Sequence, residues 1–247
     1  MAERRQKLRV LLLQVREDAP TRHEELNEFV LGAGLEPEQF DVLDVFATPE
    51  FPAERVEGYD ALCIGGSSDA SVTRPEEYPF IAPALALLRH CDRIGLPVFA
   101  SCFGFQLAAV AFGGRVEVDL ARAEFGTLPI QLTEAGRTDP LLGDLGEAFL
   151  AVVGHKERAV SIPEVAEHLA CTEICPYQAF RLRGRPFWAF QFHPEVTRAD
   201  LVCRLVRYWT RYFETEQACK LVTASLAETP EANALLGRFI DRVVLAP

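Results

Sequence analysis

Pro97-Val98-Phe99-Ala100-Ser101-Cys102-Phe103-Gly104-Phe105-Gln106 is the stretch that decides the fold. Pro97 to Ser101 is a short apolar run that predicts a buried strand, and Phe103 to Phe112 is a helical run that stops at Gly113-Gly114. Only Cys102 lies between them, so the chain must turn sharply at one residue, as in a nucleophile elbow. Such a turn pushes the side chain out at the carboxyl edge of a sheet, where open α/β sheets bind ligands. The N-terminus of the following helix favours a thiolate there. The free amide of Phe103 can donate to an oxyanion, and Gly104 lets the chain pass closely. Taken alone, the segment is equally an ordinary buried cysteine at a strand–helix junction.

Upstream, Leu8 to Val15 is a continuous apolar run, the mark of a strand buried on both faces. Thr21 is expected to cap the next helix, with Glu24 completing a capping box and the helix running to Gly32 or Gly34. Phe40 to Phe46 and Tyr59 to Ile64 read as two further strands, the second ending in Gly65-Gly66-Ser67-Ser68. Glu77 to Cys91 reads as a helix with Leu85 and Leu88 on its buried face. This alternation predicts a parallel sheet covered on both faces.

Downstream, Val116 to Val160 breaks into shorter strand-like pieces, Trp188 to Phe192 is a strong strand, and Arg198 to Phe213 reads as a helix. The tail from Glu214 to Pro247 reads as two more helices, the second starting near Pro230-Glu231. No linker, repeat or composition break divides the chain. The expected organisation is one α/β domain over 1–213 with a helical extension over 214–247 packed on it.

The 247 residues are 49% hydrophobic with a mean hydropathy of +0.06, which excludes disordered and low-complexity classes. Lys and Arg total 25 against 36 Asp and Glu, and a net charge of −11 argues against nucleic-acid binding. No apolar stretch reaches the roughly 18 residues of a membrane span, and Val10 to Leu13 is too short for a signal sequence. Seven cysteines, an odd number, then read as reduced thiols of a cytoplasmic protein. Cys171 and Cys175 lack a second pair at zinc spacing. Cys63 reads as a core residue, and Cys91, Cys203 and Cys219 fall on helices without partners. No phosphate loop of the G-x-x-x-x-G-K-[ST] type occurs, and no metal or cofactor is expected.

A second constellation is Phe190-Gln191-Phe192-His193-Pro194-Glu195, where a histidine stands just beyond a strand and a carboxylate two residues further on. A cysteine nucleophile needs a base, and the base needs an acceptor to fix its tautomer. On its own the motif reads by default as a capping histidine and a solvent-facing glutamate, and the cysteine elbow upstream reverses that reading.

Together the motifs resemble the class I glutamine amidotransferases. That family combines a G-x-C-x-G-x-Q elbow, a Gly-rich oxyanion loop upstream and a strand ending in F-H-P-E. Cys102, Gly104 and Gln106 match the elbow, Gly65-Gly66 the loop, and Phe192-His193-Pro194-Glu195 the closing motif. The likeness runs over roughly residues 8 to 212. Ala100 replaces the first elbow glycine, and Phe105 stands where many members have histidine, which suggests a divergent, free-standing branch similar to the glutaminase domain of GMP synthetase.

The resemblance implies a flavodoxin-like three-layer sandwich with a mostly parallel central sheet. It implies Cys102 as nucleophile, His193 as base and Glu195 as its orienting carboxylate. The amides of Gly66 and Phe103 become the oxyanion donors, and Gln106 a substrate-holding residue. Gly154 and His155 fall where the family has a substrate-lining turn, though exposed loop residues fit there as well. His23, His90 and His168 are expected at the surface. The implied activity is hydrolysis of the glutamine amide. A γ-glutamyl peptidase with the same triad is the alternative, and a catalytically idle binding protein a third. The 34 residues after Phe213 are too few for a synthetase domain, so a separate ammonia-accepting subunit is the implied partner.

Overall fold

A computed structural model describes residues 2–212 and 214–246 of the chain. Its strands are β1 (Val10–Val15), β2 (Phe40–Asp44), β3 (Ala61–Ser67), β4 (Val98–Ser101), β5 (Arg115–Val118), β6 (Glu124–Leu132), β7 (Ala148–His155), β8 (Glu157–Ser161), β9 (Ala166–Cys171), β10 (Ala179–Leu182) and β11 (Phe187–Phe190). The helices are α1 (Ala2–Gln6), α2 (Ala19–Ala33), α3 (Ile81–Ile94), α4 (Phe103–Ala111), α5 (Glu134–Arg137), α6 (Arg198–Arg207), α7 (Trp209–Tyr212), α8 (Glu216–Ser225), α9 (Pro230–Asn233) and α10 (Leu235–Phe239).

Nine strands form one sheet in the order β2-β1-β3-β4-β11-β10-β9-β6-β7. The first five are mutually parallel, and the last four extend one side in antiparallel fashion. The parallel strands are apolar because helices cover both of their faces. Leu12, Cys63, Phe99 and Phe190 face Phe29 of α2 and Leu235, Leu236 and Phe239 of the tail. Leu11, Leu62, Ile64 and Val98 face Leu87 and Leu88 of α3 and Phe105 of α4. The result is the α/β layering with a parallel centre that the sequence predicts.

Three local boundaries differ from expectation. Asp18, not Thr21, caps α2: its carboxylate accepts from the Thr21 amide at 2.9 Å and from the Thr21 hydroxyl at 2.8 Å. The longer acceptor arm takes the orphan amide one turn earlier. Helix α3 begins at Ile81 rather than Glu77, because Pro79 disfavours helical geometry at Tyr78. The helix expected over Arg198 to Phe213 breaks after Arg207, where Tyr208 leaves helical geometry and its hydroxyl donates to Asp18 at 2.6 Å. The end of that span, Phe213, lies outside the described residues, as do Met1 and Pro247.

Candidate active site

Three adjacent parallel strands bring the site together. Gly65-Gly66 are the last residues of β3 before Ser67, Cys102 follows β4, and His193 lies shortly after β11, so all arrive at one carboxyl edge. The register is direct: Ile64 pairs with Ala100, and Ser101 with Phe190.

Cys102 has φ 49° and ψ −99° and is the one non-glycine residue with positive φ among the described residues. Backbone strain of this kind costs about 1–3 kcal/mol and persists only where the surroundings impose it. Here the Cys102 amide donates to the Phe190 carbonyl at 2.7 Å, while the Gln106 amide reaches back to the Cys102 carbonyl at 3.2 Å. A methyl at Gly104 would stand 2.9 Å from both the Cβ and the carbonyl oxygen of Ile64, so only glycine lets α4 start this close to β3.

The His193 amide donates to the Val152 carbonyl at 2.8 Å, tying the loop after β11 to β7. Its Nδ1 donates to Glu195 Oε1 at 2.7 Å, which fixes the tautomer, and the ring also hydrogen-bonds the Cys102 side chain. Burial alone would lower the imidazole, but the charges of Cys102 and Glu195, with hydrogen bonds to both, push it up to about 10. Burial likewise works against the Glu195 carboxylate, yet the charge and hydrogen bond of His193 hold it below its ordinary value. These neighbours favour the protonated form of the ring.

These groups open onto a cleft of about 680 Å³ lined by Cys102, Gln106, Gly154, His155, His193 and Arg16, among others. Gln106 Nε2 donates to the Glu157 carbonyl at 3.2 Å, and His155 Nδ1 donates to the same oxygen at 3.1 Å. His155 is buried rather than an exposed loop residue. Its Nε2 meets Glu124 Oε2 at 3.0 Å, and Glu124 also accepts from Thr172 and Gln178, each at 2.5 Å. Both ring nitrogens are thus held by protein, and His155 braces the cleft wall. Gly154 is exposed, and a Cβ there would meet only Phe125 at 4.0 Å.

Glu124, His155 and Cys175 gather ligand-type atoms within 4.8 Å of one another. The Glu124 oxygens accept from Thr172 and Gln178, and the Cys175 thiol, pushed up to about 11 by burial, donates to the Tyr177 carbonyl at 3.8 Å.

Sequence reasoning missed a layer of buried charge behind the cleft. Arg16 Nε donates to Glu25 at 2.8 Å, and Arg204 donates to Glu28 at 2.7 Å. A Cβ at Gly65 would collide with Glu25 Oε1 at 2.3 Å, so the Gly65-Gly66 segment rests directly on this layer. The available signal was Arg16 itself, a charge placed directly after an apolar strand. Of the other histidines, His23 is exposed and His168 half-buried. His90 is a correction: α3 packs it inward at 5% exposure, where Arg93 contacts Nδ1 and Glu57 stands 3.5 Å from Nε2.

By fold and site, then, this is an α/β protein with a strained cysteine elbow facing a histidine–carboxylate pair. Residues 43–206, well over half of the chain, match the family described as glutamine amidotransferase class-I. The chain belongs to that family. It is 28% identical over 222 residues to the glutamine-hydrolyzing GMP synthase of Synechococcus sp. (strain CC9902), covering 89% of this chain and 39% of that protein. It is 36% identical over 137 residues to the GMP synthase of Edwardsiella ictaluri, covering 53% of this chain and 23% of that one. The alignments thus span only about a quarter to two fifths of these relatives. A glutamine amidotransferase of Thermotoga maritima shares the fold with a TM-score of 0.77 at 18% identity, covering 96% of this chain and 98% of the other. One from Methylobacillus flagellatus gives 0.72 at 22% identity, with 94% of each chain covered.

Proposed function

We propose that the chain hydrolyses a γ-glutamyl amide, that of glutamine or of a larger γ-glutamyl compound, with Cys102 as nucleophile, His193 as base and Glu195 as orienting carboxylate. The observation that carries this is the strained Cys102 hydrogen-bonded to a His193 whose other ring nitrogen is fixed by Glu195 at 2.7 Å.

For attack, the Cys102 proton passes to His193, which leaves a protonated imidazole beside Sγ. Cys102 Sγ attacks the amide carbon, and the developing oxyanion is met by the amides of Gly66 and Phe103. The carbon–nitrogen bond breaks, and the leaving nitrogen takes the proton of the imidazolium. His193, now neutral, takes a proton from water, and the hydroxide attacks the γ-glutamyl thioester. The carbon–sulfur bond breaks, glutamate leaves, and the sulfur takes its proton back from His193. Gln106 orients the substrate from the wall it shares with His155.

A cleft of about 680 Å³ lies in the range that holds a ligand larger than one amino acid, which favours a γ-glutamyl conjugate as a second reading. We take 1–213 as the hydrolase domain and 214–247 as its extension, with the tail's Leu235, Leu236 and Phe239 in the core supporting that division. Where glutamine is the substrate, the ammonia goes to a separate synthetase subunit, a reading supported by the likeness to GMP synthases. Seven free cysteines support a cytoplasmic setting. No described helix is long and apolar enough to cross a membrane.

The test is mass-spectrometric detection of glutamate released from glutamine and from γ-glutamyl compounds, comparing the chain with Cys102→Ala. Release by the parent alone supports the proposal. Release by neither, with glutamine and conjugates both offered, favours the idle binding protein.

A further inference from the structure

Arg16 directly follows β1 and reaches the same carboxyl edge as Gly66 and Cys102. Its side chain is only 5% exposed, yet it lines the cleft together with Cys102, Gln106 and His193. Nε donates to Glu25 at 2.8 Å, and among the described residues no protein acceptor is hydrogen-bonded to Nη1 or Nη2. Nη2 stands 2.7 Å from the place a Cβ on Gly66 would take, and His193 Cε1 stands 2.8 Å from that same place. Burial works against the Arg16 charge, but Glu25 and, more weakly, Glu28 and Cys102 hold it above its ordinary value.

A guanidinium fork anchored at Nε with its outer nitrogens unmatched is a receptor for a carboxylate. The position of the fork decides which carboxylate. The α-carboxylate of a glutamyl group is separated from the scissile carbonyl by three carbons. In a γ-glutamyl amino acid, the carboxylate of the leaving amino acid is separated from the scissile nitrogen by one. Arg16 sits against Gly66 and His193, the groups that meet the reacting carbonyl and the leaving nitrogen, so the short reach fits. We propose that Arg16 binds a carboxylate on the leaving group, one carbon from the scissile nitrogen, and so selects γ-glutamyl amino acids over glutamine. This rests on the assignment of Cys102 and His193 made above. The bond chemistry is unchanged: the carbon–nitrogen bond breaks, the leaving amine takes the His193 proton, and Arg16 transfers nothing.

Iodoacetate and iodoacetamide test this without turnover. Both alkylate a thiolate with loss of iodide, and they differ by a carboxylate one carbon from the sulfur they reach. In the parent chain the iodoacetate-to-iodoacetamide rate ratio at Cys102, read by peptide mapping, should exceed that of glutathione by about tenfold, as a charged hydrogen bond implies. Arg16→Gln with Glu25→Gln removes both members of the buried pair, leaves no lone charge, and should lower the ratio severalfold, to the value that protonated His193 alone sustains. Arg16→Lys should retain part of the preference. The kcat/KM preference for γ-glutamylalanine over γ-glutamylethylamide, which lacks the carboxylate, should fall in step. A parent ratio equal to that of glutathione, or one unchanged in the double variant, overturns the proposal and leaves Cys102 as nucleophile. If Cys102 reacts with neither reagent ahead of the other cysteines, the nucleophile assignment falls and this proposal with it.

Discussion

Gly66→Ala adds one methyl group to the oxyanion loop and leaves its backbone amide in place. Gly66 is not among the glycines with positive φ, so alanine meets no backbone strain there. The new Cβ would lie 2.7 Å from Arg16 Nη2 and 2.8 Å from His193 Cε1. Carbon atoms settle at about 3.5–4.0 Å, so something must retreat by about 1 Å. The far end of Arg16 can swing into the cleft. The imidazole cannot yield cheaply, since Nδ1 is tied to Glu195 at 2.7 Å and the residue's amide to Val152 at 2.8 Å. A displacement of about 1 Å in a catalytic group costs on the order of 10²-fold in rate, equivalent to about 2.7 kcal/mol in the barrier. The strain is relieved into the open cleft rather than the core, so stability should change by about 1 kcal/mol or less, a Tm shift of about 2–4 °C. Glutamate release from the better substrate, with thermal melting alongside, reads both numbers. A variant that melts normally and keeps its rate within threefold of the parent would refute the reasoning, because His193 would then tolerate displacement that a base gripping Cys102 does not.

Three further outcomes are expected. Cys102→Ala and His193→Ala should each abolish turnover while Glu195→Gln leaves a small residue, because nucleophile and base act as a unit; full activity in His193→Ala would transfer the base role elsewhere. Limiting iodoacetamide near neutral pH should label Cys102 before exposed Cys203, since Cys63, Cys91 and Cys175 are held as thiols by burial; peptide mapping that finds Cys63 or Cys171 first would sink the elbow assignment. Burial, aided by Glu195 and Glu25 and opposed by Arg204, pushes Glu28 from 4.5 up to about 7. The folded-state value is the higher one, so this group's stabilisation is complete below about pH 4.5 and lost as pH rises through 7, up to about 3 kcal/mol. Urea unfolding of Glu28→Gln between pH 4.5 and 8 should lack that loss, and a slope identical to the parent's would contradict it.

The elbow was legible because its signal is local: an apolar strand, one residue and a helical run leave Cys102 a single conformation to adopt. His193 and Glu195 were legible for the same reason, being two residues apart at a strand end. Pairings set by tertiary register were not. Glu124 and His155 are separated by 31 positions and meet because β6 and β7 place them directly opposite each other. Strands β9 and β10 carry His168 and Arg181 among their apolar residues, which hides the alternation. His90 reads as a surface residue on α3 and is buried because the helix rotates it inward. Arg16 was visible as a charge after an apolar strand, but its meaning depends on β1 lying beside β3.

The sheet order has a consequence for how the chain is made. Strand β11 is inserted between β4 and β10, although β4 ends at Ser101 and β11 starts only at Phe187. Until that late segment arrives, β4 has an open side, the Cys102 amide lacks the Phe190 carbonyl that helps fix its turn, and the thiol has no imidazole beside it. During synthesis from the N-terminus, the sulfur therefore leaves the ribosome long before its proton partner. The same insertion that closes the sheet also sets the imidazole beside the thiol, so a half-made chain carries the cysteine without that neighbour.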